Sequence, residues 1–414
     1  MRVLSLFDGM ACGMLAMQSA GIKVDRYVAF EIDKYAVKTS THNFPMIEHR
    51  GDVFQADFTE FSGFDFLVGG SPCTYWSIAQ KNNRETEASG IGWELFSQYV
   101  RALKEAQPMY FIYENNKSMS KAIRESITET FGFEPICINS ALVSAQNRQR
   151  LYWVGKKNPD GTYSRVHVDQ PEDRGILLRD VLDRGGYDLT SNKKSWALTA
   201  SYDGACAWNT IERHQRNMVA VPVRIPEYGN EEPKANALTT CQTDSMCACR
   251  VGALPRPNGE LSTSQAFRVY STDGKSVNIT AGGGGAGGKT GLYAIPVEFD
   301  GDIPTKAISG ADGKTYTVYM VKDGQISIKD KQYPIKLADG FYIIRKLTVS
   351  ECMRLQTVPE WYEFPVSDTQ AYKMLGNGWT VEVIAHLINA TQADSQEDDE
   401  QLDLFKMVVN ANVL

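Results

Sequence analysis

The chain has 414 residues, 43% hydrophobic and 22% charged, which excludes collagen, a disulfide miniprotein and wholesale disorder; its length predicts two domains. No apolar run reaches the roughly eighteen residues of a membrane span, and Met1-Arg2-Val3-Leu4-Ser5-Leu6-Phe7-Asp8 lacks a signal peptide's apolar core, so a cytoplasmic protein with no membrane partner is expected. The net charge of −7 sits largely in the C-terminal tail, where Asp394, Glu397, Asp398, Asp399, Glu400 and Asp403 face only Lys406, so a basic groove elsewhere remains compatible with the total.

From Met1 to Gly155, short apolar runs alternate with helix-like segments: Val3 to Phe7, Gly13 to Ser19, Tyr27 to Glu31, Asp65 to Gly69 and Tyr110 to Tyr113. The alternation predicts a parallel α/β sheet with ligands at strand C-termini. Glu94 to Ala106 places Leu95, Phe96, Tyr99, Val100 and Leu103 on one helical face, suited to packing on that sheet. Residues 156–340 are turn-rich and β-like and form a second domain, with three weakly similar segments beginning at Lys194, Lys234 and Lys275 that suggest related β units. Residues 341–392 return to the α/β style, so the β-rich domain is expected to be an insertion. Residues 393–414 form an acidic tail ending in an apolar island, Leu402 to Val409. Eight scattered cysteines form no disulfide framework and suit a reducing compartment.

The chemistry-bearing residues fall at predicted strand ends. Phe7-Asp8-Gly9-Met10-Ala11-Cys12-Gly13 joins the first strand to a helix, and its glycines allow close backbone approach to a ligand at the helix N-terminus. Glu31 closes the next apolar run, where an acid can accept both ribose hydroxyls of a nucleoside cofactor, and Asp52 can take an adenine amino group. Ser71-Pro72-Cys73 puts a thiol after a buried strand, and Glu114 supplies an acid at the end of a later one. Gln146-Asn147-Arg148-Gln149-Arg150 places two arginines at strand spacing, on one predicted face. In the middle region, the Gly282 to Gly288 run with Lys289 is a candidate phosphate cradle, and Arg213, Arg216, Arg224, Arg250 and Arg256 are candidate base or phosphate contacts. Cys241, Cys247 and Cys249 lack a fourth ligand at convincing spacing, so no metal is expected.

In this order the motifs resemble the DNA (cytosine-5)-methyltransferase family: Phe7-Asp8-Gly9 with Gly13, Glu31, Asp52, Pro72-Cys73, Glu114-Asn115 and Gln146-x-Arg148-x-Arg150. After the middle region come Arg345-x-Leu347-Thr348-x-x-Glu351-x-x-Arg354-Leu355-Gln356 with Pro359, then Leu375-Gly376-Asn377-Gly378. The resemblance implies a Rossmann-like S-adenosylmethionine-dependent methyltransferase core, residues 1–155 and 341–392, around a β-rich target-recognition domain. It implies that Cys73 attacks C6 of a flipped-out cytosine in double-stranded DNA. Glu114 would act at N3, and Arg148 and Arg150 would hold the base and backbone. It implies an S-adenosyl-L-methionine site built from Phe7, Asp8, Gly9, Met10, Gly13, Glu31, Ile32, Asp52, Val53, Pro72, Leu95, Asn377 and Gly378. The chain departs from the family pattern in its first glycine loop and at Thr74, Asn116 and Trp379. An RNA cytosine-5 methyltransferase and a catalytically silent DNA-binding relative are the alternatives. A monomer is expected, with one further partner: Gln401-Leu402-Asp403-Leu404-Phe405 resembles the short peptide that docks on the bacterial sliding clamp.

Overall fold

The computed structural model describes residues 1–77, 84–183, 250–255, 267–272, 276–277, 292–297, 307–309, 315–328, 331–345 and 347–394. The contacts divide the chain into two units. The first holds Met1–Asn139, Gln149–Glu172 and Gly378–Leu414, and the second holds Ser140–Arg148 and Asp173–Asn377.

In the first unit, eight strands form one sheet. They are β1 (Arg2–Leu6), β2 (Arg26–Phe30), β3 (Glu48–His49), β4 (Phe66–Gly69), β5 (Tyr110–Asn116), β6 (Ile136–Asn139), β7 (Gln149–Lys157) and β8 (Tyr163–Arg165). The order is β3-β2-β1-β4-β5-β7-β6, with β8 on β7. Strands β1 to β5 pair in parallel, as the apolar runs predict. β7 inserts antiparallel between β5 and β6 and is the departure from an all-parallel sheet. This is a Rossmann-like α/β core. Helices α1 (Cys12–Ser19), α2 (Lys34–Asn43), α3 (Gly90–Ala106) and α4 (Lys121–Phe131) complete its alternation. The core is strongly aromatic: Phe96, Tyr99, Phe111, Tyr113, Phe131 and Trp153 are buried and meet at ring-centroid separations near 5–6 Å.

The strand order reverses between β1 and β4, so the crevice beyond their C-terminal ends is where a ligand is expected in such a sheet. The loop after β1 and the turn carrying Cys73 both leave the sheet there. A helix over 381–394 closes the unit. Glu382 accepts from Ser19 Oγ at 2.7 Å, His386 meets the Asp169 carbonyl at 2.8 Å, and Asp394 pairs with Lys156 at 2.7 Å.

The second unit is β-rich. Strands β9 (Arg250–Ala253), β10 (Arg268–Ser271), β11 (Leu292–Val297), β12 (Ala307–Ser309), β13 (Thr315–Lys322), β14 (Gln325–Ile328), β15 (Lys331–Pro334) and β16 (Gly340–Arg345) form a second sheet. It runs β15-β14-β13-β16-β11-β10-β9, with β12 on β13. Composition places 156–172 in this domain, but they belong to the first unit, and the second unit also extends past the expected limits on both sides. It takes in 140–148 and runs to Asn377, because helices Val349–Leu355 and Asp368–Asn377 bond to the 140–148 segment. Ser144 Oγ and Gln146 Nε2 donate to the Leu355 carbonyl at 2.7 and 3.2 Å, and Arg148 Nη1 donates to the Gly376 carbonyl at 3.2 Å. The first two sequence repeats, most of the third, the Gly282 to Gly288 run, Arg213, Arg216, Arg224, Arg256, Cys241, Cys247, Cys249 and the clamp-like peptide lie outside the described residues. Arg250 is exposed on β9.

Candidate active site

The loop after β1 folds through left-handed backbone at Phe7 (φ 57°), Gly9 (φ 60°) and Ala11 (φ 62°), the last being the N-cap residue of α1. Two of these are not glycine, and such strain persists only where the surroundings hold it. Phe7 packs on the core, Asp8 N–H donates to the Phe30 carbonyl at 3.2 Å, and Ala11 N–H donates to the Asp8 carbonyl at 3.2 Å. Glu31 supplies the remaining tie: Oε2 accepts from Gly9 N–H at 2.8 Å, and Oε1 accepts from Ile32 and Asp33 N–H at 2.8 Å each. Its carboxylate therefore locks the glycine loop to the end of β2.

Asp8 is buried. Its Oδ1 accepts from Ser5 Oγ at 2.6 Å and Tyr27 OH at 2.7 Å, while Oδ2 is buried with no protein partner. Loss of water pushes its pKa up to about 6, against the pull of the two hydroxyls, and the charge of Glu31 adds to the rise. Gly13 has a packing role: a Cβ there would sit 2.5 Å from the Tyr27 hydroxyl and 3.3 Å from Val68. Gly9 differs, since a Cβ there would meet nothing within 4 Å, although its positive φ still favours glycine. Met10 is buried at the loop, whereas Ile32 is 77% exposed beyond β2.

Asp52 caps the 3-10 turn Val53–Gln55, accepting from Phe54 N–H at 3.0 Å. Val53 is buried, and its carbonyl, with that of Ala56, accepts from the Arg101 guanidinium at 2.7 and 2.8 Å. Arg101 on α3 thus fixes the Asp52 turn, a long-range role that no local motif announces. Leu95, on the same helix, is partly buried against the core.

Strand β4 ends at Gly69, and Gly70-Ser71-Pro72 leads into the 3-10 turn Cys73–Tyr75. Gly70 permits close approach to β5: a Cβ would lie 2.8 Å from both the carbonyl and Oε2 of Glu114. Ser71 Oγ shares a hydrogen bond with Tyr113 OH at 2.7 Å, and Asn115 Nδ2 donates to the Ser71 carbonyl at 3.2 Å. Asn115 therefore ties the strand end beside Glu114 to the approach of the Cys73 turn.

Glu114 is buried at the end of β5. Arg150 Nε lies 2.9 Å from Oε1, and Trp379 Nε1 donates to Oε2 at 3.1 Å. The register accounts for the first contact: Glu114 faces Tyr152 and Asn116 faces Arg150, so Glu114 and Arg150 are diagonal neighbours on one face. Arg148 corrects the expectation of two arginines in one strand. β7 starts at Gln149, and Arg148, buried in the second unit, donates to Gly376. Asn377 closes the second unit and Gly378 opens the returning segment of the first.

The motif from Arg345 to Gln356 builds scaffold. Thr348 and Glu351 form a capping box: Thr348 Oγ1 accepts from Glu351 N–H at 3.1 Å and Glu351 Oε2 from Thr348 N–H at 2.8 Å. Glu351 also accepts from Asp183 N–H at 3.0 Å, and Arg354 pairs with Asp183 at 2.7 Å. Gln356 Nε2 donates to the Leu375 carbonyl, holding the segment that leads to Asn377.

A family model described as C-5 cytosine-specific DNA methylase matches residues 1–393. The chain is 28% identical over 354 residues to the orphan methyltransferase M.Rho11sI of Bacillus phage rho11s, covering 78% of this chain and 68% of that one. It is 25% identical over 449 residues to the orphan methyltransferase M.SPRI of Bacillus phage SPR, covering 93% and 95%. Among solved structures, the Entamoeba histolytica methyltransferase EhMeth shares the fold with a TM-score of 0.52 at 12% identity, covering 95% of this chain and 98% of that one. No helix among the described residues is long and apolar enough to cross a membrane. The site geometry and the match over nearly the whole length lead to one conclusion: the chain is a methyltransferase that belongs to the C-5 cytosine-specific DNA methylase family.

Proposed function

We propose that the protein methylates C5 of a flipped-out cytosine in double-stranded DNA, through a transient covalent bond from Cys73 to C6. The observation that carries this reading is the Glu114 carboxylate, held by Arg150 and Trp379 against Gly70, three residues before Cys73. C5 of cytosine is a poor nucleophile. Addition of the Cys73 thiolate to C6 pushes electron density onto C5, and Glu114 stabilises the adduct by giving a proton to N3. Arg150 orients Glu114; Arg148 is assigned to the base by the family resemblance alone. After transfer, a water molecule takes the C5 proton, the C5–C6 double bond re-forms as the C6–S pair leaves on the Cys73 thiolate, and the N3 proton returns to Glu114.

The first unit's crevice suits S-adenosyl-L-methionine, which when bound supplies an electrophilic methyl group. The ligand is cationic, and two acids, Asp8 with its unpartnered Oδ2 and Glu31 beside Gly9, stand at the glycine loop. Gly9 and Glu31 would hold the sugar side, and Asp52, with Phe7 against the ring and with Val53 and Ile32, the adenine. Met10, Gly13, Pro72, Leu95 and Gly378 complete the proposed set, Gly13 through its packing on Tyr27, and Asn377 is assigned by the family resemblance alone. The middle domain is assigned to gripping the duplex while the base is extruded, because a cytosine inside the stack cannot reach Cys73.

Radiolabelled methyl transfer tests the substrate: label should enter duplex DNA containing cytosine and not transfer RNA or an AT-only duplex. Label in RNA alone would favour the RNA reading, and label in neither would favour a silent DNA-binding relative. We assign Gln401-Leu402-Asp403-Leu404-Phe405 to the bacterial sliding clamp, with Leu404 and Phe405 filling an apolar pocket and the acidic stretch before them as tether. Purified clamp should retain the parent chain and release a Leu404→Ala, Phe405→Ala variant that still methylates free DNA; equal retention of both, or of neither, rejects this partner.

A further inference from the structure

Two residues of the first unit outside the assigned site, Arg84 and Glu85, bond to the chain that follows Cys73. Trp76, next after the Cys73–Tyr75 turn, is fully buried in the aromatic core. Its indole N–H donates to Glu85 Oε2 at 3.0 Å, and the same carboxylate accepts from Gly92 N–H at 3.1 and 3.2 Å. The backbone is tied alongside: Glu85 N–H donates to the Tyr75 carbonyl at 2.9 Å, and Arg84 Nε donates to the Trp76 carbonyl at 3.2 Å. Arg84 Nη2 reaches the Ser118 carbonyl at 2.7 Å, anchoring the arrangement to the segment after β5.

The surroundings are cut to admit the Glu85 carboxylate. Helix α3 begins after Ser89, whose side chain makes no capping hydrogen bond, and Glu85 serves the helix N-terminus instead, where negative charge is favoured. Gly90 and Gly92 leave the room. A Cβ at Gly90 would lie 2.5 Å from Glu85 Oε1, and one at Gly92 would lie 2.5 Å from Trp76 Nε1 and 2.6 Å from Glu85 Oε2. Two glycines in three residues therefore make way for one carboxylate.

We propose that Glu85 and Trp76 are positioning residues for the nucleophile, fixing the Cys73 turn from its C-terminal side as Tyr113 and Asn115 fix it through Ser71 from the other. The inference rests on the reading of Cys73 as the attacking thiol. Attack requires sulfur and C6 within near-contact range along one direction, and a misplacement of about 1 Å can cost about 100-fold. A turn anchored on one side only would pivot about Ser71. Holding Tyr75 and Trp76 to α3 removes that freedom before DNA binds.

The test uses the full chain, with single-turnover methyl transfer measured beside equilibrium binding of S-adenosylmethionine and of cytosine duplex. Trp76→Phe keeps the buried ring and removes the N–H, whereas Glu85→Ala removes both acceptors. Each should slow the single-turnover step by about 10- to 100-fold while both dissociation constants stay within about threefold. Glu85→Gln, whose amide oxygen still accepts from Trp76, should recover most of the rate. Thermal melts correct every rate for folded fraction, and Trp76→Phe carries the test if Glu85→Ala fails to fold. Parental single-turnover rates in Trp76→Phe, or in folded Glu85→Ala, would overturn the proposal, as would a loss confined to binding. A parent chain that transfers no methyl group would instead remove the reading of Cys73 on which the proposal stands.

Discussion

Asp8 shows what a motif letter cannot carry. Its place after the first strand was legible as part of a cofactor loop, but not its burial beside Tyr27 or its pKa near 6, both of which depend on β2 packing next to β1. An acid whose folded pKa is raised from 3.8 binds more protons folded than unfolded, so its contribution is most favourable below pH 4 and is lost as pH rises through 6. Asp8→Asn should therefore match the parent near pH 4 and exceed it in unfolding free energy above pH 7, by an order-of-magnitude figure of about 3 kcal/mol. Denaturant melts across that range check it; a difference that stays flat from pH 4 to 7 would contradict it. Glu114 divides in the same way. Its strand-end position was legible, but its partner Arg150 was not, because α4 and β6 separate β5 from β7 in sequence and only the antiparallel register sets the two side chains together; Trp379, 265 residues away, was visible only as an unusual residue in the last motif.

At the scale of elements, apolar runs found β1, β2, β4 and β5 because buried parallel strands are short and continuously apolar. They could not find the antiparallel placement of β7, since strand direction follows from connections and not from composition. Within the motif from Arg345 to Gln356, Val349–Leu355 is a helix, and its start is encoded by a four-residue box. Thr348→Ala should cost about 1 kcal/mol, the usual worth of a lost N-cap, by removing the acceptor for Glu351 N–H. Thr348→Ser, which keeps the hydroxyl, should cost less. Chemical denaturation of the pair measures this, and equal losses would mean that the methyl group rather than the cap stabilises the segment.

Over the whole molecule, the α/β core around a β-rich insertion was legible from texture. The assignment of 140–148 and 341–377 was not, because the bonds from Ser144, Gln146 and Arg148 to Leu355 and Gly376 join residues more than two hundred positions apart. The proposed cofactor crevice, by contrast, draws on consecutive βα turns of one sheet, Phe7 to Gly13, Glu31 and Asp52, which lie near one another in sequence and could be picked out as a set. The proposed chemistry converges on one bond, from Cys73 to C6 of cytosine. A duplex carrying 5-fluorocytosine, which has no C5 proton to surrender, should trap that bond in the presence of S-adenosylmethionine. The parent chain should give a denaturant-resistant protein–DNA adduct that maps to Cys73, and Cys73→Ala should give none; methyl transfer by Cys73→Ala, or an adduct mapped to another residue, would contradict the account.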